Sequence, residues 1–323
     1  MANPHYSISK DEIDASHQRI KQFIHRTPIL TSSLINKLAN CQIYFKCENF
    51  QKIGAFKMRG ASNAVAQLSA KQKENGVVTH SSGNHAQALA KAAAEQNIAA
   101  FIVMPRNAPT VKVNAVKEYG GIITFCEPTL QAREEGVRQI IKNKGASFVH
   151  PYDNEHVIAG QATAAKELIE DQANLQTIIC PVGGGGLLAG TILSSSYYGK
   201  NLTVYAGEPK GADDAYKSLK EGRIVPSKNP TTIADGLLTS LGIKNFEIIR
   251  SGVKEILLVD DQEIISAMQL IWERLKIIVE PSCAVPLAAI LKYKPTFKNQ
   301  HVGLILSGGN VDLSTYFESL NPA

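Results

Sequence analysis

From Gly76 onward, short apolar runs alternate with stretches of helical periodicity. GVVTH (76–80), AAFIVMP (99–105), GIITFC (121–126) and ASFVHPY (146–152) read as strands, rich in β-branched and aromatic residues. Between them the pattern predicts helices over Ala86–Gln96, Val111–Glu118 and Ala132–Asn143. A helix is predicted over Gly160–Glu170, after which the series resumes. TIICPV (177–182) is followed by a helix over Leu187–Ser196, then LTVYAGE (202–208), EILLVDD (255–261), a helix over Gln262–Lys276 and VGLILSGGN (302–310). Such repetition is the signature of parallel βαβ units, whose crossovers place helices over both sheet faces. No internal repeat and no Pro- or Gly-rich linker divides the chain, so one unit inserted within another fits the pattern.

Composition narrows the class. The 323 residues suffice for two domains, and 44% hydrophobic with 20% charged residues is an ordinary globular mix. Disorder, collagen and a disulfide-stapled miniprotein are excluded. The net charge of +5 is spread along the chain, which points weakly to anionic ligands and not to nucleic acid. Cys41, Cys47, Cys126, Cys180 and Cys283 are odd in number and widely spaced, with no zinc pattern. A reduced, cytoplasmic protein is the expectation, and the start MANPHYSISKDEID lacks the apolar run of a signal peptide. The uncharged stretch Gln172–Gly199 has the length of a membrane span. Its proline, four consecutive glycines and three consecutive serines argue instead for a buried strand, a loop and a helix.

Three segments carry chemistry. In PVGGGGLLAG (181–190) a strand runs through Gly183, Gly184, Gly185 and Gly186 into a helix. Unobstructed backbone N–H groups and a helix N-terminus there suit a phosphate. Gly184, Gly186 and Gly190, with Glu208 ending the next strand, also fit a dinucleotide-binding dehydrogenase. In THSSGNHAQALA (79–90) a strand ends in Ser81, Ser82, Gly83 and Asn84 before a helix, an arrangement suited to a carboxylate; ordinary N-capping explains one such residue but hardly four. In GAFKMRG (54–60) Lys57 sits between Phe56 and Met58. A desolvated lysine has a lowered pKa and can form a Schiff base. Together the three suggest an aldehyde cofactor with a phosphate arm.

GAFKMRG, SSGNHAQ, GGGGLLAG, TIADG, VEPS and LSGGNVDL occur in the order and spacing of one family. Over nearly its whole length the chain resembles the serine racemases and serine/threonine dehydratases that use pyridoxal phosphate. The resemblance implies the α/β, tryptophan-synthase-β-like fold of two parallel-sheet domains. The large one would be 1–75 with 152–323, and the small mobile one 76–151. It implies that Lys57 carries the cofactor and acts as base, that Phe56 packs on the pyridine ring, and that Asn84 bonds the ring hydroxyl oxygen. Gly183–Gly186 and Leu187 would hold the phosphate, Ser307 would face the pyridine nitrogen, and the Gly236 carbonyl would lie near the ring. Ser81, Asn84 and His85 would meet the substrate carboxylate. A homodimer is likewise implied, with no nucleic-acid or membrane partner. Lys52 matches one nucleotide-contacting position of relatives that respond to ATP, too little to claim ATP binding.

Further matches refine the subfamily. Ser82 occupies the second acid/base position of racemases, where threonine dehydratases typically have alanine. Arg133 matches the racemase arginine near the substrate side chain; it suits serine or a dicarboxylate such as 3-hydroxyaspartate. Thr239 keeps a hydroxyl where relatives have serine. Glu208, Ala212 and Asp214 match a racemase site for Mg²⁺ or Ca²⁺, with two carboxylates and a carbonyl as hard ligands. The activity implied is racemisation of serine with elimination from serine or threonine. The alternatives are a threo-3-hydroxyaspartate dehydratase and a catabolic threonine dehydratase. The residues by themselves also admit the dehydrogenase, or a non-catalytic binding protein of the same fold.

Overall fold

The computed structural model describes residues 6–108 and 110–313. Its strands are β1 (Ile29–Leu30), β2 (Gln42–Cys47), β3 (Val77–His80), β4 (Ala100–Pro105), β5 (Ile122–Cys126), β6 (Ser147–Phe148), β7 (Thr177–Pro181), β8 (Thr203–Pro209), β9 (Val253–Val259) and β10 (His301–Leu306). They form a six-stranded sheet in the order β1-β2-β10-β7-β8-β9 and a four-stranded sheet in the order β5-β4-β3-β6. Every pairing is parallel except β1 with β2. The mixed α/β fold read from the chain is therefore the fold observed, with one short antiparallel edge added.

In the larger sheet β7 is buried along its whole length, as a strand covered on both faces must be. Successive residues feed opposite cores. Ile179 and Leu304 join the cluster built on the Pro281–Lys292 helix, whereas Ile178, Cys180 and Ile305 join that of the Glu155–Asp171 and Gly186–Tyr198 helices. The four strands of the smaller sheet lie between Val77 and Phe148. A third cluster joins Val77, Ile102 and Met104 of this sheet to Met58 and Val65 of the Lys57–Ala66 helix and to Val157. That helix meets the Glu155–Asp171 helix at bare backbone. A Cβ on Gly160 would come within 2.6 Å of the Arg59 carbonyl, and one on Gly60 within 2.8 Å of the Val157 carbonyl.

Three differences from the sequence expectations have local causes. The strand predicted over 146–152 ends at Phe148, because Pro151 has no N–H and the His150 ring accepts from the Tyr152 and Asp153 amides, turning the chain. The helix predicted from Gly160 begins at Glu155, where the Asn154 side chain caps the Val157 amide at 3.1 Å. The helix Pro281–Lys292 was not anticipated; Pro286 inside it masks its pattern. No helix among the described residues is long and apolar enough to cross a membrane.

Candidate active site

The C-terminal ends of β3, β7 and β10 open on one cleft of about 590 Å³, where open α/β sheets bind ligands. All the residues assigned to cofactor, substrate and proton transfer line it: Phe56, Lys57, Ser81, Ser82, Asn84, His85, Arg133, Gly183–Gly186, Leu187, Gly236, Thr239 and Ser307. Residues distant in sequence, Lys57 and Ser307 among them, are brought together because the Phe56 amide donates to the Ser307 carbonyl at 3.0 Å.

Lys57 begins its helix. Its ammonium donates to the Pro151 carbonyl at 2.7 Å and lies 5.2 Å from the Phe56 ring centroid. Burial lowers its pKa to about 8, against the opposing charge of Glu280. A solvated surface lysine would show no such displacement.

Packing requires the bare backbone of the glycine loop. A Cβ on Gly184 would lie 2.4 Å from the Tyr152 ring, and Gly185 sits at φ +92°, which disfavours any side chain. The Gly186–Tyr198 helix that follows has no side-chain cap, so its first-turn N–H groups are free to face an anion. The Asn84–Ala94 helix likewise starts without a side-chain cap. Ordinary capping thus does not account for the SSGN turn; two uncapped helix N-termini meet the same cleft.

Around that turn, Asn84 Nδ2 donates to both carboxylate oxygens of Glu280, at 2.9 and 3.2 Å, and its Oδ1 accepts from Asn310 at 2.8 Å. Glu280 is buried, and desolvation pushes its carboxyl up to about 7. His85 is buried with Nε2 3.2 Å from the Val149 carbonyl, and Nδ1 has no partner among the described residues. Burial and neighbouring cations hold its pKa well below the usual value. The neutral ring therefore carries its proton on Nε2, and Nδ1 can only accept. Toward a substrate carboxylate, its useful group is the backbone N–H in the first turn.

The cleft is also lined by Arg133, from the Leu130–Lys144 helix, and by the exposed Thr239. The Tyr152 hydroxyl bonds to the Thr239 side chain. An ion pair from Lys112 to Asp235 spans the cleft between the two strand systems. Lys52 pairs with Glu95 at 3.0 Å.

Glu208, Ala212 and Asp214 lie outside this cleft. Ala212 and Asp214 border a second pocket of about 290 Å³. The Glu208 carboxylate accepts from the Ala215 and Tyr216 amides at 2.9 Å each. Asp214 accepts from the Leu241 amide at 3.1 Å through Oδ2, while its buried Oδ1 has no partner among the described residues. Burial raises both carboxyls, Asp214 to about 6 and Glu208 well above its ordinary value. Among the described residues no cluster of three or more His, Cys, Asp or Glu is arranged to hold a metal.

Sequence reasoning missed Glu280, Tyr152, Asp235 and Lys112 as cleft residues. Glu280 stood inside the VEPS motif and Asp235 inside TIADG, signals that were visible but unassigned. Lys112 in a helix pattern carried no signal.

Residues 20–308 match the family described as pyridoxal-phosphate dependent enzyme. The chain is 50% identical to the serine racemase of Dictyostelium discoideum, over 98% of this chain and 99% of that one. It is 49% identical to the beta-hydroxyaspartate dehydratase of Paracoccus denitrificans (strain Pd 1222), over 95% of this chain and 98% of that one. The solved structure of maize serine racemase superposes with a TM-score of 0.96 at 42% identity, covering 98% of this chain and 97% of that one. With this match on top of the cleft's geometry, the chain belongs to the family of pyridoxal-phosphate dependent enzymes.

Proposed function

We propose that this protein racemises serine and eliminates water from small β-hydroxy amino acids, releasing a 2-oxo acid and ammonia. The observation that carries the reading is the convergence of a lysine of lowered pKa, a hydroxyl-bearing turn and a glycine cradle on one cleft. The cradle fits pyridoxal phosphate, since Gly183–Gly186 line the cleft with no side chain in the way and the adjoining helix start lacks a side-chain cap. Lys57 would tether the group, Gly183–Gly186 with Leu187 would take its phosphate, and Phe56, Asn84, Gly236 and Ser307 would bound its ring. When bound, it withdraws electrons from the α-carbon of the attached amino acid.

The chain's own residues then divide the work. The N–H groups at the start of the Asn84–Ala94 helix, with Ser81 and His85, orient the substrate carboxylate. Lys57 Nζ takes the α-proton, a role suited to an amine that ionises near neutral pH. Ser82 Oγ returns a proton on the opposite face, which inverts serine. Departure of the β-hydroxyl instead gives the elimination product. Arg133 and Thr239 face the substrate's side chain. Because Arg133 offers bidentate bonding to a carboxylate, and a 49%-identical relative is a beta-hydroxyaspartate dehydratase, 3-hydroxyaspartate is the second substrate reading.

Residues 76–151 are proposed as the mobile unit, and a homodimer in a reducing cytoplasm as the working form. Glu208, the Ala212 carbonyl and Asp214 are proposed to hold Mg²⁺ or Ca²⁺. The unpartnered Asp214 Oδ1 and the two desolvated carboxyls, with no basic side chain bonded to either among the described residues, suit a hard cation.

The test is the Ser82→Ala variant of the purified holoenzyme, supplied with L-serine and L-threo-3-hydroxyaspartate. D-serine formation should fall about 100-fold or more, while 2-oxo acid release continues. Undiminished D-serine refutes the role of Ser82, and no 2-oxo acid from either substrate in the parent enzyme refutes the activity.

A further inference from the structure

Asn245 is fully buried and has no part in the roles assigned above. It is the third residue of the Ile243–Gly252 helix. Its Nδ2 donates to the Gly184 carbonyl in the glycine loop at 2.7 Å and to the Tyr152 carbonyl at 3.1 Å. The Gly242 amide supports the same Gly184 carbonyl at 3.1 Å. Asp153 fixes the helix start, its carboxylate accepting from the Ile243 and Lys244 amides at 3.1 and 2.9 Å. Asn245 Oδ1 is buried without a partner among the described residues. Leaving a buried acceptor unpaired is costly, so the residue is explained by what its donor does.

The direction of one peptide supplies that explanation. No cis bond occurs among the described residues, and in a trans peptide the C=O and the following N–H point opposite ways. A Gly184 carbonyl held against Asn245 therefore aims the Gly185 N–H away from Asn245, toward the cleft that Gly185 lines. A peptide between two glycines has little steric resistance to flipping, so its orientation depends on such a hold. We infer that Asn245 is a positioning residue that locks the Gly184–Gly185 peptide so that its N–H meets the cofactor phosphate. Through Tyr152 it also ties the loop to the segment whose Pro151 carbonyl holds Lys57. The inference rests on the cofactor and is independent of which substrate the enzyme prefers.

Asn245→Ala and Asn245→Asp proteins, stripped of cofactor, are titrated with pyridoxal phosphate and with pyridoxal, which lacks the phosphate. Their melting temperatures are recorded alongside. The dissociation constant for pyridoxal phosphate should rise about tenfold in Asn245→Ala, the loss of one oriented hydrogen bond. It should rise further in Asn245→Asp, where a carboxylate faces two carbonyl oxygens. Affinity for pyridoxal should stay as in the parent. Equal weakening of both ligands makes Asn245 a packing residue and overturns the inference, as does unchanged affinity for pyridoxal phosphate. If the Asp variant does not fold, the Ala variant decides by the same comparison.

Discussion

At pH 7 an ordinary lysine is neutral about once in three thousand molecules, whereas one with a pKa of about 8 is neutral about once in ten. That difference is what desolvation gives Lys57, and it makes the amine available for attack on an aldehyde. The nearby Glu280 works in the other direction, since its negative charge favours the ammonium and raises the Lys57 pKa. Glu280 is itself pushed up to about 7 and so is mostly ionised above that pH. Two outcomes follow for protein stripped of cofactor and mixed with pyridoxal phosphate. The rate of attachment, read from the rise in visible absorbance, should increase with pH around a midpoint near 8. In Glu280→Gln the raising charge is gone and the midpoint should move lower. A midpoint near 10.5 in the parent protein, or no shift in the variant, contradicts this account.

Among the elements, the Lys57–Ala66 helix is anchored by a buried charge network two residues from the lysine. Arg59 donates to Glu48 at 2.6 and 2.8 Å and to Glu167 at 2.8 Å twice. Lys46, at the end of β2, donates to Glu167 at 2.6 Å, and His17 of the Lys10–Ile20 helix lies 3.2 Å from Glu167. Two cations and two carboxylates balance with essentially no solvent contact. Against burial, which would raise it, the hydrogen bond with His17 and the charges of Arg59 and Lys46 hold the Glu167 carboxyl well below its ordinary range. Its folded pKa is depressed, so its contribution is complete above the unfolded value of about 4.5 and fades as the pH falls below it. Glu167→Gln leaves two buried cations short of a partner and should cost about 3–5 kcal/mol in urea unfolding at pH 7. The gap between variant and parent should narrow in acid. A difference that is small at pH 7, or constant with pH, would show that the network is not held together by charge.

For the whole molecule, the cleft lies between two strand systems with separate cores, and Lys112 reaches across it to Asp235. Asp235 is half exposed, so the pair contributes at most about 1 kcal/mol. If residues 76–151 close over substrate, that energy favours the closed arrangement. Lys112→Ala should then raise the KM for serine up to about fivefold while leaving the melting temperature nearly unchanged. Raising the salt should bring the parent's KM toward that of the variant, which should itself respond little. A parent KM indifferent to salt would remove the pair from the closing step.

Apart from β1 and β2, which precede Gly76 and are not legible in it, the chain pattern alone showed the strands from β3 onward and pointed to their parallel pairing. Those features depend on local periodicity and on residue types within a few positions, which is what a sequence displays. It also suggests one cofactor site for the GGGG turn, the SSGN turn and Lys57, through the motifs taken together, since Lys57 by itself reads as an ordinary surface lysine. Only the tertiary structure decided that Gly184 makes room for Tyr152, that no side chain caps the Asn84–Ala94 helix, and that His85 presents an acceptor. It alone placed Glu280 beside Asn84 and Asn245 behind the glycine loop. These pairs are separated by 196 and 61 positions in the chain. The physical reason is the same for each: burial, hydrogen-bond direction and pKa are set by neighbours that only folding brings near, and no local pattern encodes them.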